Sequence, residues 1–289
     1  MRRVIVAALL TAAATVGAAH QWPASWRAPQ QPLRLFGNVY YVGARGVSAI
    51  LITSDEGHVL LDVPMQENVA MIFSSITALG FRVEDVRLIL NSHAHFDHAG
   101  GIAELQRLSG ATVAARAPSV PVLTQGRSGP DDPQFGVVPE MPPVRSAVQT
   151  IAGGETLRVG PLALTAHATA GHTPGGTSWT WRSCQDGRCL DMAYVDSLTA
   201  ASADAFLFTR SAEYPTALRD FDASFATIAA LPCDILLTPH PDVSNLWQRI
   251  ASRDQGAADA LIDRTACSRL VDAARTALKT RIDREANAR

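Results

Sequence analysis

The chain has 289 residues, of which 47% are hydrophobic and 18% are charged, and its formal net charge at pH 7 is −2. The apolar content suffices for a hydrophobic core, and the length suits one large domain or two small ones, since a domain typically has ~100–200 residues. The chain has no excess of positive charge and no basic stripe, so we do not expect it to bind nucleic acid.

The N-terminus has the pattern of a secretory signal peptide. Arg2 and Arg3 precede an uncharged stretch, residues 4–19, which ends in small residues. This stretch is shorter than the ~20 apolar residues that a membrane-spanning helix needs. We therefore expect residues 1–19 to be a signal peptide and residues 20–289 to form a single domain. The mature protein is then expected to be periplasmic and no longer attached to a membrane.

Export changes how the cysteines are interpreted, because thiols are readily oxidised outside the cytoplasm. Cys184 and Cys189 flank a turn between two β-like runs, and a disulfide bond across this hairpin is plausible. That bond would leave Cys233 to pair with Cys267, although four cysteines allow three pairings and four free thiols are the alternative. A zinc site made of four cysteines is disfavoured, because their spacing lacks paired Cys-x-x-Cys knuckles.

The first half of the domain alternates short strands with helices. Apolar runs separated by Gly- and Asp/Glu-containing turns predict strands at residues 39–42, 48–52 and 58–62. Apolar residues at helical spacing predict a helix over residues 67–79, with Gly80 as its C-cap. A buried strand at residues 86–90, a helix at 101–108 and a strand at 111–115 are expected to follow.

Residues 124–146 differ in character, because they hold five prolines and three glycines and no clear period. They predict a long surface loop, and loops of this length are usually functional or disordered. The β pattern returns over residues 150–194. Helices are then predicted at 214–231, 245–252 and 257–286, and a strand at 234–238. This order predicts an α/β fold, an αββα sandwich of two mixed β-sheets between outer helices.

The densest chemical signal is the segment His93-Ala94-His95-Phe96-Asp97-His98, which directly follows a predicted buried strand. Imidazole and carboxylate groups are ligands that zinc prefers. In an extended loop the rings of His93 and His95 project to the same side, and Asp97 and His98 can face an adjacent ion. Four such groups within six residues would be costly without a cation, so the segment predicts a metal site.

Two later histidines occupy similar settings. His172 lies in a turn rich in glycine and proline that follows a predicted strand, and His240 follows the apolar strand at residues 235–237. Active sites of α/β proteins gather at the C-terminal ends of strands. Either histidine alone would be unremarkable in a folded protein. Together with the cluster they supply the fifth and sixth ligands that two ions need.

The His-x-His-x-Asp-His cluster, the Gly-His-Thr-Pro-Gly turn and the late histidine at a strand end resemble the metallo-β-lactamase superfamily. The resemblance covers about residues 35–247. It implies that His93, His95 and His172 hold one Zn²⁺ ion, and that a second Zn²⁺ is bound by a set of three: Asp97, His98 and His240. It also implies that Asp62, at the end of an early strand, supports the site without binding metal.

No cysteine stands in residues 194–198, where other lactamase subclasses place a metal ligand, and Ser197 is found there instead. With His98 among the ligands, the chain is similar to subclass B3. This implies hydrolysis of the cyclic amide of penicillins, cephalosporins and carbapenems by a metal-bound hydroxide, and hence antibiotic resistance. Asp97 would orient the hydroxide, while Ser197 and Thr199 would bind the substrate carboxylate. Thr199 departs mildly from the subclass, which more often has serine there.

The same resemblance implies that the loop at residues 124–146 flanks the substrate, with Phe135 as an apolar contact. The partner is expected to be a small β-lactam molecule, and the protein a monomer. Two alternatives remain open. Asp196 could align with an aspartate that bridges the metals in other members, which would favour a lactonase, thioesterase or phosphodiesterase. A non-catalytic zinc protein would require a degraded ligand set, whereas all six positions are intact.

Overall fold

The computed structural model describes residues 22–287, and the predicted signal peptide at residues 1–19 lies outside them. Twelve strands form two sheets. The strands are β1 (Leu33–Phe36), β2 (Val39–Tyr41), β3 (Ile50–Ile52), β4 (His58–Leu61), β5 (Val86–Leu90), β6 (Thr112–Arg116), β7 (Val148–Ile151), β8 (Thr156–Val159), β9 (Leu162–Ala168), β10 (Thr177–Gln185), β11 (Arg188–Tyr194) and β12 (Ile235–Leu237). The α-helices are α1 (Val69–Ala78), α2 (Phe96–Ala99), α3 (Ile102–Ser109), α4 (Ser119–Gln125), α5 (Ala217–Ala229), α6 (Leu246–Asp254) and α7 (Ala266–Asn287). Among the described residues, no helix has the length and apolarity needed to cross a membrane.

Both sheets are mixed. The first has the order β1-β2-β3-β4-β5-β6-β7, antiparallel as far as β4 and parallel from β4 to β7. The second has the order β12-β11-β10-β9-β8, with a parallel pair only between β11 and β12. The segments that follow β4, β5, β9, β11 and β12 carry the polar residues singled out above, and they converge at one edge of the stacked sheets.

The strands are apolar on both faces because both faces are covered, which is typical of sheets with helices outside them. In β3, Ile50 and Ile52 pack in the layer between the sheets, whereas Leu51 packs outward against α1 and α3. In β11, Tyr194 faces the inner layer and Ala193 faces the outer layer formed with α5 and α7. Three apolar layers therefore lie between four layers of secondary structure, which are outer helices, the two sheets and outer helices again. The predicted αββα sandwich is confirmed.

Both expected disulfide bonds are present. Cys184 and Cys189 are directly opposed in the β10–β11 hairpin and are bonded to each other. Cys233, just before β12, is bonded to Cys267 in the first turn of α7. The second bond therefore fixes the last helix to the second sheet.

We expect the two bonds to differ in their effect on stability. The Cys233→Ser/Cys267→Ser double variant should lower the free energy of unfolding by ~2–4 kcal/mol, because this bond restricts a long loop of the unfolded chain. The sequence separation is 34 residues for this pair and 5 for Cys184 and Cys189, so the matched Cys184→Ser/Cys189→Ser variant should lose less. Urea unfolding of the three proteins measures the difference, and the opposite order would contradict the expectation.

The sequence placed the start of the last helix too early. Residues 257–265 form turns, and α7 begins only at Ala266. The carboxylate of Asp263 accepts a hydrogen bond from the backbone N–H of Thr265 at 3.0 Å, which satisfies a donor at the start of the helix. The side chain of Leu261 is buried in the apolar layer between the sheets. This burial keeps the residues just before α7 in turns instead of a helix.

The loop predicted at residues 124–146 is also different in detail. Helix α4 extends into it as far as Gln125, and the remainder contains turns without a strand. It is not only a surface loop, because Asp132, Met141 and Val144 are buried. The metal-binding segment, predicted as a loop, contains the single helical turn α2.

Candidate metal centre

A cavity of about 780 Å³ opens at the edge where the strand ends converge. Its lining includes every metal ligand predicted from the sequence, together with both predicted substrate contacts: His93, His95, Asp97, His98, His172, His240, Ser197 and Thr199. The strands thus bring together side chains from four separate parts of the chain. Five of the six predicted ligands are buried, and His240 is partly exposed.

Two groups of potential metal ligands lie in this cavity. In each group the ligand atoms lie within 4.8 Å of one another: His93, His95 and His172 in the first, and His93, Asp97 and His98 in the second. His240 joins the second group, because its Nε2 lies 3.2 Å from Nε2 of His98 and 3.5 Å from Oδ2 of Asp97.

Each ring of the first group has one nitrogen engaged by an oxygen behind it. The pairs are His93 Nδ1 with Asp196 Oδ1 at 2.7 Å, His95 Nε2 with Asp132 Oδ2 at 2.8 Å, and His172 Nδ1 with the carbonyl oxygen of Thr199 at 2.9 Å. When the engaged nitrogen donates its proton to that oxygen, the other nitrogen presents a lone pair to the cavity. Three neutral imidazoles are therefore oriented as metal ligands.

The second group is only partly supported in this way, because Nδ1 of His98 has no hydrogen-bond partner among the described residues and lies 3.9 Å from Oδ2 of Asp62. The Nδ1 of His240 donates to the carbonyl oxygen of Gly46 at 3.2 Å, which leaves Nε2 facing His98 and Asp97. The Nε2 of His98 lies 3.2 Å from Oδ2 of Asp97. Two imidazole nitrogens and a carboxylate oxygen therefore converge on one point. Without a metal, a proton on Nε2 of His98 can be shared with Nε2 of His240, and a cation would take its place.

The protonation of these groups suits a metal. Burial lowers the pKa of His172 to about 3, and the neighbouring histidines act in the same direction. Burial and the nearby His98 lower the pKa of His240 to about 4. Burial alone would raise the pKa of Asp97, but His98 and His240 hold it well below its usual range. His172 and His240 as neutral rings and Asp97 as a carboxylate are in the forms that zinc binds. Burial acts to lower the pKa of His98, but Asp97 and Asp62 outweigh it and raise that pKa, so a cation would replace a proton on this ring.

Asp62 supports the site from behind. It is fully buried directly after β4, and it accepts hydrogen bonds from the backbone N–H of Ser92 at 2.7 Å, the hydroxyl of Ser92 at 2.6 Å and the hydroxyl of Tyr194 at 2.7 Å. Its Oδ2 lies 3.9 Å from Nδ1 of His98. The carboxylate thus fixes the start of the metal-binding segment, and it lies on the far side of His98 from the cavity.

Comparison with known proteins identifies this arrangement. Residues 42–248 match the family model of the metallo-β-lactamase superfamily. The chain belongs to that superfamily. The metal site is therefore the site that this family places at the edge of its sandwich, typically for zinc.

Solved structures of metallo-β-lactamases cover nearly the whole chain. The Rm3 metallo-β-lactamase is 53% identical, with 91% of this chain and 97% of that chain covered and a TM-score of 0.89. MEM-A1, a subclass B3 metallo-β-lactamase from a soil metagenome library, is 48% identical, with 91% and 100% covered and a TM-score of 0.89. BJP-1, a subclass B3 enzyme of Bradyrhizobium japonicum, is 31% identical, with 92% and 98% covered and a TM-score of 0.83. The predicted resemblance to subclass B3 is confirmed.

Asp196, the alternative bridging ligand, lies behind His93. Its Oδ1 engages Nδ1 of His93, and its Oδ2 points at Gly176, where an added Cβ would meet that oxygen at 2.6 Å. Neither oxygen is among the two groups of converging ligand atoms. Asp196 also borders the cavity, unlike Asp132, but its Oδ1 is engaged by His93 as Asp132 Oδ2 is engaged by His95. This contact is that of a support for His93 rather than of a bridging ligand.

The residues predicted to contact the substrate differ in their position relative to the cavity. Ser197 lines the cavity, whereas the hydroxyl of Thr199 lies 3.1 Å from Nδ1 of His172 and so also contacts a ligand. Phe135 is 51% exposed and is not part of the cavity lining, so its predicted contact with the substrate stays a prediction. The same loop contributes Gln134 and Val138 instead.

Several residues of the site were missed from the sequence. The side-chain Nε2 of Gln134 lies 3.5 Å from Nδ1 of His95 and 3.4 Å from Nε2 of His172, in front of the first group. Trp26 stacks on the ring of His240, with 5.2 Å between centroids. The sequence offered two hints of these contacts: a pair of tryptophans before the first strand, and polar residues inside the proline-rich loop. Neither hint forms a periodic pattern, so neither identified a residue of the site.

Proposed function

We propose that the protein is a zinc-dependent β-lactamase that hydrolyses the β-lactam amide bond of penicillins, cephalosporins and carbapenems and so confers resistance to these antibiotics. The observation that carries the proposal is the convergence of five imidazoles and one carboxylate on a single cavity. The names of the similar proteins support it, since they are metallo-β-lactamases of subclass B3.

In this proposal His93, His95 and His172 hold one zinc ion, and Asp97, His98 and His240 hold a second. Zinc bound at such ligands supplies Lewis acidity, which makes water acidic near neutral pH and polarises a carbonyl group. The supporting oxygens of Asp196, Asp132 and Gly46 keep three of the rings in the orientation and tautomer that binding requires.

The chain's own polar groups orient the reactants. The ionised carboxylate of Asp97, a member of the second group, lines the cavity, where it can accept a hydrogen bond from the attacking water and orient it. The hydroxyl of Ser197 lies in the cavity wall and can donate to the carboxylate of a β-lactam. Thr199 is the second proposed contact with that carboxylate, in addition to its contact with His172.

The decisive experiment is a hydrolysis panel run with and without a chelator. The purified protein should hydrolyse a carbapenem and a cephalosporin, and removal of zinc should abolish this activity because no other group in the cavity supplies the Lewis acidity. Added zinc should restore it. Activity that survives in zinc-free protein would contradict the mechanism, and turnover of a lactone or a thioester in place of the β-lactams would favour the other hydrolases of this fold.

We also propose that residues 1–19 are removed as a signal peptide, that residues 20–289 form one domain, and that the mature enzyme is a periplasmic monomer. The disulfide bonds support export, because such bonds persist in oxidising compartments. The mass of the protein isolated from the periplasm tests the cleavage site, and its sedimentation behaviour tests the monomer.

A further inference from the structure

Asp132 links a metal ligand to the loop in front of the metal site. Its Oδ2 lies 2.8 Å from Nε2 of His95, and its Oδ1 accepts a hydrogen bond from the backbone N–H of Gln134 at 2.8 Å. Both Asp132 and His95 are buried, with 5% and 3% of their surfaces exposed. One carboxylate therefore holds two donors, the ring of a ligand and the backbone of a neighbouring loop residue.

Asp132 and Gln134 lie within residues 126–147, between α4 and β7, which we call the Asp132 loop. The loop has turns but no helix or strand of its own. Asp132 does not line the metal cavity, so it acts on the site through His95. Gln134 does line the cavity, and its side-chain nitrogen lies within 3.5 Å of the metal-facing nitrogens of His95 and His172.

We propose that Asp132 couples metal binding at the first group to the conformation of the Asp132 loop. The inference rests on the proposed zinc site. A cation bound at Nδ1 of His95 requires the ring proton to lie on Nε2, where it is donated to Asp132. The cation also polarises that N–H, and hydrogen bonds between charged partners are stronger than neutral ones. The metal thus tightens the bond that anchors the loop.

The coupling must act in both directions, because the free energy that links two equilibria is shared by both. A loop anchored at Asp132 keeps His95 in the orientation that binds metal, and so raises the affinity for zinc. The same anchored loop holds Gln134 over the first group. Asp132 is therefore a positioning residue that assembles one wall of the cavity when the metal is present.

The Asp132→Asn variant tests the proposal, because an asparagine side chain offers one oxygen where two donors need acceptors. The matched control is Asp131→Asn, which removes the same charge from the adjacent, exposed position. Two readouts are used. Competition with a chromogenic chelator gives the zinc affinity, and trypsin cleavage after the exposed Arg127 reports opening of the loop with and without zinc.

In the unmodified protein and in Asp131→Asn, zinc should slow cleavage after Arg127 by about 10-fold or more. In Asp132→Asn this protection should largely disappear, and the zinc affinity should fall by ~10–100-fold, as for other groups that orient a metal ligand. The ratio of cleavage rates with and without zinc separates coupling from general destabilisation, which would speed cleavage in both forms.

Equal protection by zinc in Asp132→Asn and in the unmodified protein would overturn the proposal. If Asp132→Asn does not fold, Asp132→Ser carries the same comparison with the same expected loss of protection. Unmodified protein that binds no zinc at all would instead refute the proposed function. Zinc binding with an Asp132-independent loop refutes only the coupling, so the two failures are distinguishable.

Discussion

The Asp97→Asn variant is expected to lose ~10²–10⁴-fold in kcat, the range found when a positioned acid–base group is removed. The carboxylate supplies the negative charge of the second group, with Oδ2 at 3.2 Å from Nε2 of His98 and 3.5 Å from Nε2 of His240. An amide carries no charge and accepts a proton poorly, so both metal binding at the second group and orientation of water should fail. Steady-state kinetics combined with zinc analysis measures both effects.

Thr199→Ala is the matched control for Asp97→Asn. It removes a hydroxyl 3.1 Å from Nδ1 of His172, but the backbone carbonyl oxygen of residue 199, at 2.9 Å from the same nitrogen, remains. The ring of His172 therefore keeps its acceptor, and we expect a loss of about 10-fold or less, mainly in KM. Similar losses of kcat in the two variants would mean that the roles assigned to Asp97 and Thr199 are wrong.

The convergence of the six proposed ligands could be predicted because their signal is either local or tied to a strand end. His93, His95, Asp97 and His98 lie within six residues, so chain connectivity alone brings them together. His172 and His240 are far apart in the chain, but each follows a strand, and the carboxyl ends of such strands meet at one edge. The αββα layers could also be predicted from the sequence. Apolar runs without alternation indicate strands that are covered on both faces.

The supporting residues could not be predicted, because tertiary contacts alone fix their positions. Asp132 and Gln134 lie in a proline-rich loop without a period, and part of what holds the loop is a hydrogen bond from the backbone N–H of Ala203 to the carbonyl oxygen of Pro133 at 2.8 Å. Phe135 was chosen for its apolar side chain, yet the buried carboxylate of Asp132 directs the neighbouring Gln134 into the cavity. In this loop, polar anchoring decides which side chain faces the site.

The resemblance implied a supporting role for Asp62, and the hydrogen bonds that its carboxylate accepts imply a large effect on stability. Asp62→Ala is expected to lower the free energy of unfolding of the zinc-free protein by ~3–5 kcal/mol, because unsatisfied buried donors each cost ~1–3 kcal/mol. Three close donors would lose their acceptor, the backbone N–H and hydroxyl of Ser92 and the hydroxyl of Tyr194, and so would the longer bond from Nδ2 of Asn91 at 3.4 Å. Alanine would also occupy a backbone position with φ of +57°, which aspartate tolerates better.

Asp55→Ala provides the control at the opposite end of β4, where the carboxylate is exposed, and it should change stability by no more than ~0.5 kcal/mol. Urea unfolding of the zinc-free proteins makes the comparison, and zinc titration of Asp62→Ala then asks whether His98 still binds metal. If Asp62→Ala were as stable as Asp55→Ala, the donors of Ser92 and Tyr194 would have found water or other acceptors. Asp62 would then not fix the start of the metal-binding segment, and the six ligands would owe their convergence to the packing of the strands alone.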